Sequence, residues 1–136
     1  MNYLTHHPYG CIVYKNESYE VFNMSSISYI KQLCYDHLFT YQGYLKACQK
    51  KFEFKYKIPL YISDMIQLIP TKSYRKTDVI WINYAYIKRY SILNKQIHIK
   101  FFDDSELIAN ISYQAFKTQI IRLNQIREVK VKHFHC

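Results

Sequence analysis

Apolar and polar residues alternate along much of this chain with a period of two, the repeat of a half-buried strand, and shift to a helical period in two places. Cys11-Ile12-Val13-Tyr14 and Tyr19-Glu20-Val21-Phe22 flank the polar break Lys15-Asn16-Glu17-Ser18, which predicts a hairpin. The run Ile27 to Leu33 reads as a further strand. Phe54, Tyr56 and Ile58 alternate with Lys55 and Lys57, the pattern of another. Leu60 to Ile62 and Ile66 to Ile69 are apolar runs around Ser63-Asp64, and Pro70 closes the second because it has no N–H to give a ladder. Val79 to Tyr90 reads as strand through Asn83, beyond which a helical turn fits equally well. From Gln96 to Asn110 a second hairpin is predicted: Ile97, Ile99 and Phe101 alternate with His98 and Lys100, and Asp103-Asp104-Ser105 supplies the turn before Leu107 to Ile111.

The first helical stretch covers 44–52, where Leu45, Cys48 and Phe52 share one face while Lys46 and Lys50 stack four residues apart on another. Gly43 opens it. The second covers 113–127, with Ser112 as N-cap, Phe116, Ile120, Leu123 and Ile126 turned inward, and Lys117, Arg122 and Arg127 outward. The expected fold is α+β: β-rich antiparallel sheet with one short internal helix and one C-terminal helix.

At 136 residues the chain fits a single domain, long enough to bury roughly two-thirds of the surface its unfolded form exposes. With only two glycines and three prolines, breaks must be read from polar clusters. No apolar run approaches the roughly 20 residues of a membrane span. The opening MNYLTHHPYG lacks the charged and apolar regions of an export leader, so a cytoplasmic location is expected. Cysteines stand at 11, 34, 48 and 136, none in a C-x-x-C pair, and read as small buried hydrophobes of a reducing compartment. His133-Phe134-His135-Cys136 offers soft metal ligands, but with no second pair at zinc spacing a basic chain end is the preferred reading, and no metal or cofactor is expected.

Charge changes this picture. The chain has 19 Lys plus Arg against 10 Asp plus Glu, and 15 tyrosines. Basic groups among flat rings suit a phosphate backbone with sugar or base faces beside it; AT-rich codon usage would also enrich Tyr, Lys, Ile and Asn without any binding role. The basic residues cluster as Lys46, Lys50 and Lys51; Lys72, Arg75 and Lys76; Lys88 and Arg89; and Lys117, Arg122 and Arg127. Any one cluster is more often a solvated face than a site, and their number against few acids favours nucleic acid. The densest patch is Thr71 to Asp78, TKSYRKTD, where Tyr74 in polar surroundings is either plainly exposed or in contact with a partner. Trp81, between Ile80 and Ile82, reads as a core anchor.

Enzyme chemistry has little support. Glycine is too scarce for a phosphate-cradling loop. His98 with Asp103, Asp104 and Glu106 has the makings of a metal-dependent nuclease, but Asp-Asp-Ser is ordinary turn chemistry and His98 alternates along a strand, so the turn is the favoured reading.

Several short motifs stand in register: Lys57-Ile58-Pro59 with Ile62-Ser63, Ile69-Pro70-Thr71 with Ser73, Ile80-Trp81-Ile82-Asn83-Tyr84, and Ile111-Ser112-Tyr113 with Phe116 and Gln119. With Tyr41-Gln42-Gly43 and the Phe101-Phe102-Asp103 turn, they resemble the competence transcription factor (ComK) family of low-GC Gram-positive bacteria over Cys34 to Arg122. The resemblance implies a DNA-binding activator of DNA-uptake genes, acting as dimers that pair on two AT-rich boxes and working mainly through the minor groove. Narrow A-tract grooves attract inserted Arg and Lys. On the charge reading, Arg75 and Arg89 are the insertion candidates. Lys72, Lys76, Lys88, Lys46 and Lys50 are phosphate contacts, and Tyr74 and Lys117 complete the candidate set. Longer members continue into a tail that resembles a docking site for adaptor-mediated proteolysis and supports self-association, whereas this sequence ends at Cys136, which leaves adaptor and protease partners and the tetramer open. The alternative is a non-enzymatic interaction module, a shortened paralogue that modulates a full-length activator without productive DNA binding. Trp81 to Ile120 also bears a fainter likeness to the LytTR DNA-binding domain, which supports only a β-rich fold.

Overall fold

The computed structural model describes the backbone of residues 1–134 and the side chains of residues 1–132. Most of the metal-ligand motif at the C-terminal end lies outside them. The fold is α+β. Six strands form the larger antiparallel sheet: β1 (Tyr3–His7), β2 (Gly10–Lys15), β3 (Ser18–Phe22), β4 (Leu60–Ser63), β5 (Ile66–Pro70) and β6 (Trp81–Asn83), in the order β3-β2-β1-β6-β5-β4. A smaller sheet carries β7 (Ile87–Leu93), β8 (Gln96–Phe101) and β9 (Glu106–Ala109), in that order. The helices are α1 (Ser26–Asp36), α2 (Tyr41–Phe52) and α3 (Tyr113–Phe134). No helix among the described residues is long and apolar enough to cross a membrane.

Both hairpins and the β4–β5 pair form as their alternation predicts. Asn94 and Lys95, both at positive φ (49° and 65°), make the two-residue turn joining β7 to β8. Three readings change. Ile27 to Leu33 is helical, lying within α1, because Ser26, Ile30 and Cys34 are buried at four-residue spacing and Ser25 caps the first turn; β-branched and aromatic residues mask that period. Phe54 to Ile58 is no strand. Glu53 and Lys57 take left-handed φ values of 60° and 49° that break an extended run, and Arg122 and Gln119 of α3 hold the Tyr56 and Lys57 carbonyls in place of a ladder. Val79 to Tyr90 is strand only as β6, after which a short 3-10 turn (Tyr84–Tyr86) redirects the chain into β7. The helix boundaries also move. α2 starts at Tyr41, with Thr40 as cap accepting the Gly43 N–H, and α3 runs past 127 to Phe134.

One buried cluster contains Leu4, Val13, Ile30 and Trp81 with Ile97, Ile99, Phe101, Phe116 and Leu123, so both sheets and the helices share it. Trp81 is fully buried, as an anchor should be. Cys11, Cys34 and Cys48 are free and buried, and burial pushes the Cys34 thiol up to about 11.

Within this core the fully buried Asn83 side chain uses all its hydrogen-bonding capacity. Its Oδ1 accepts the N–H groups of Gln67 (2.9 Å) and Ala85 (3.2 Å). Its Nδ2 donates to the carbonyls of Met1 (2.8 Å) and Met65 (3.0 Å). Asn83→Ala strips four partners at once in a site with little water to replace them, and is expected to cost roughly 3 kcal/mol. A urea melt that moves by less than about 1 kcal/mol contradicts this role for Asn83.

Candidate nucleic-acid interface

The loop Thr71 to Val79 joins β5 to β6 and is closed at its base by Thr71 N–H to the Ile80 carbonyl (2.9 Å) and Ile80 N–H to Thr71 Oγ1 (3.0 Å). Ser73 folds the tip, its carbonyl accepting the Lys76 N–H at 2.9 Å. Lys72 pairs across the loop with Asp78 and holds that carboxyl below its ordinary value.

Tyr74 is half-buried. Its ring stands edge-on to Tyr41 (5.6 Å between centroids), which is edge-on in turn to Trp81 (6.3 Å). The Arg75 guanidinium lies 5.6 Å from the centroid of the Tyr74 ring, and its Nε donates to the Tyr74 hydroxyl at 3.4 Å. The tyrosine is thus a shelf rooted in the core, and Arg75 rests on it. Arg75 and Lys76 are exposed and pair with no carboxylate among the described residues.

Both line a groove of about 370 Å³. Its other wall is built by His6, His7 and Tyr9 at the β1–β2 turn and by Met24, Ser25 and Ser26 where β3 leads into α1. None of its lining residues is Asp or Glu, so no nearby negative charge offsets the basic side chains. Gly10 makes this wall possible. It sits at φ 146°, and a Cβ there would come within 2.0 Å of the Phe22 carbonyl oxygen, so the turn lies against the end of β3 as only glycine allows.

The remaining candidates lie elsewhere. Lys88 pairs with Asp104 at 3.4 Å, and Lys100 reaches the same carboxylate at 4.0 Å. Arg89 lines a separate cavity of about 220 Å³ with His98, Lys100 and Glu106, which shares no residue with the first groove. Lys46 and Lys50 project from the exposed face of α2, opposite buried Tyr41, Tyr44, Leu45 and Cys48. Lys117 is exposed in the first turn of α3, its ammonium 5.9 Å from the Tyr113 ring centroid. Of the two arginines read as outward on α3, Arg122 lies 4.6 Å over the Phe54 ring and donates to the Tyr56 carbonyl, and Arg127 pairs with Asp64 at 3.2 Å. Both bind the protein to itself.

The possible nuclease constellation is a turn. Asp103 accepts from Asn2 Nδ2 (2.8 Å) and from the N–H (2.9 Å) and hydroxyl (2.6 Å) of Ser105. Asp104 faces two lysines, and His98 Nε2 lies 3.6 Å from Glu106. No group of three or more His, Cys, Asp or Glu among the described residues could hold a metal ion. The groove wall of His6, His7, Ser25 and Ser26 went unread in the sequence. Its one local signal is the cap pattern of Ser25 before Ser28, obscured by reading Ile27 to Leu33 as strand.

Residues 2–133 match the family described as ComK protein, and the chain belongs to that family. It is a family of competence transcription factors and not of enzymes. No curated protein and no solved structure matches the chain.

The Asp103 turn has a titration signature. Partial burial raises its pKa, but hydrogen bonds from Ser105 and Asn2 outweigh that and hold it below the ordinary 3.8. A depressed carboxylate contributes stability above its unfolded pKa and loses it as pH falls through the folded one. Asp103→Asn is therefore expected to flatten the loss of stability with acid below pH 3.8. Thermal melts across that window check it, and superimposable profiles contradict it.

Proposed function

We propose that this chain is a DNA-binding transcriptional activator of DNA-uptake genes, and that it grips AT-rich promoter boxes largely through the minor groove as a homodimer or higher oligomer. The observation that carries the reading is the Arg75 guanidinium, free of any carboxylate and held on Tyr74 at the rim of an acid-free groove. The minor groove of an A-tract is narrow and strongly negative, and an inserted arginine gains most there. Stacking on Tyr74 restrains a side chain that would otherwise lose much rotamer freedom on binding.

Lys76 beside it, with Lys46, Lys50 and Lys117, supplies phosphate contacts that position the protein without reading sequence. Lys72 and Lys88 contribute less, because each already has an aspartate partner; those pairs are exposed and weak, so a phosphate can compete for the lysines. Arg89 provides a second point of contact from the smaller sheet.

Arg75→Ala with Lys76→Ala is expected to lower affinity for an A/T-box duplex at least roughly tenfold and to cut the slope of log K against log salt by about 2, with the circular dichroism unchanged. Gel-shift titrations over a salt series measure both. Unchanged affinity in the double variant favours an interaction module without productive DNA binding, and equal affinity for A/T and GC duplexes of the same length removes the AT-box reading.

A further inference from the structure

Helix α1 begins in the floor of the groove. Its cap is complete but leaves donors over: Ser25 Oγ accepts the Ser28 N–H at 3.2 Å, and the Ser25 carbonyl accepts the Tyr29 N–H at 3.0 Å. The N–H groups of Ser26 and Ile27 find no acceptor among the described residues. Such first-turn donors carry the positive end of the helix dipole, and no acidic side chain occupies this turn to meet it.

A second observation points the same way. Ser26 is only 7% exposed, and its hydroxyl is buried with no hydrogen-bond partner. Buried hydroxyls are nearly always bonded, and an orphan calls for a missing partner. Ser26 lines the groove, with Arg75 and Lys76 on the facing loop and no carboxylate between them. Two backbone N–H groups, one hydroxyl and two free cations around a helix N-terminus make a receptor for an oxyanion. A tetrahedral group has oxygens enough to meet the α1 donors and the guanidinium from opposite sides at once. A planar carboxylate, with two oxygens, meets fewer of them.

We infer that the first turn of α1, with Arg75 and Lys76 across the groove, binds one phosphoryl group. Two sources share that chemistry, a phosphodiester of the nucleic-acid backbone and free phosphate. The first rests on the DNA-binding reading above; the site itself rests on α1 and its orphan donors. As a backbone contact it would fix the register of the duplex, so that Arg75 enters the minor groove at a set distance from a clamped phosphate.

The test is a titration of the 15N-labelled full chain with inorganic phosphate against chloride at equal ionic strength. Saturable shifts are expected at the Ser26 and Ile27 amides. Ser26→Ala should weaken phosphate roughly fivefold by removing one donor, and should melt no lower than wild type because an unsatisfied hydroxyl leaves with it. A structural serine would instead lower the melting temperature on substitution. Arg75→Ala should weaken phosphate without touching α1. Absence of saturable shifts at these amides, or equal phosphate affinity in Ser26→Ala, overturns the site. Duplex binding then separates the sources. An equal loss by Ser26→Ala on A/T and GC duplexes assigns the site to the DNA backbone, and unchanged duplex affinity with weakened phosphate assigns it to free phosphate. If the wild type binds no duplex at all, the DNA-binding reading fails while the phosphate titration still decides the site.

Discussion

The Asn83 side chain ties β5, the first residue of the chain and the turn toward β7 to a single amide. The backbone extends the junction, since the Asn83 N–H donates to the Asn2 carbonyl at 2.8 Å and the Asn2 side chain bonds Asp103 and Ser105 in the smaller sheet's second turn. Two asparagines thus hold the N-terminal strand in the middle of the larger sheet and fix where the smaller sheet leaves it. Buried amides are costly unless every donor and acceptor is met, so this junction tolerates one arrangement of its neighbours. Because β1 is pinned there, its far end, with His6 and His7, stands beside the loop that carries Arg75, and the groove exists as a consequence.

Most of the cations serve the fold, and the site consists of those left over. Lys130 shows how thoroughly a charge can be absorbed. Its ammonium lies 4.7 Å from the Phe39 ring centroid, 5.4 Å from Tyr44 and 5.7 Å from Tyr61, donates to the Tyr61 carbonyl at 2.9 Å, and is shifted to a lower pKa by burial. It clamps α3 to β4 and to the start of α2. Arg122, Arg127, Lys72 and Lys88 are likewise engaged. The tyrosine excess follows the same logic: Tyr41 and Tyr44 are core residues, and Tyr3 stacks between Tyr14 and Phe101. A net charge of +9 therefore overstates what is available to a partner. Arg75 and Lys76 matter because nothing inside the protein claims their charge.

Local patterns were legible in the sequence wherever a single face is buried and a turn marks the end, as in β2–β3, β8–β9 and the Ser112 cap of α3. The α1 reading failed because its apolar residues are β-branched and aromatic, so composition argued for strand while spacing argued for helix. Strand β1 carried too little signal, since within it only Leu4 is fully buried. Its place in the sheet comes from pairing with Trp81 and Ile82, far away in sequence. The site was half legible for the same reason. The basic loop with Tyr74 and Arg75 is contiguous and could be read, but its facing wall is assembled by that long-range pairing. Nor could composition show which basic residues an acid would claim, since Lys72 and Lys88 look no different from Lys76 until the fold sets Asp78 and Asp104 beside them.

The central claim is that DNA is held at the groove between the Arg75 loop and the start of α1. Backbone amide shifts of the labelled chain, mapped on adding one A/T-box duplex, test it most directly. The account predicts perturbations concentrated at Ser26, Ile27, Arg75 and Lys76, with the β8–β9 turn around Asp103 silent. Shifts centred on β7 to β9 with Arg75 and Ser26 unmoved would contradict it.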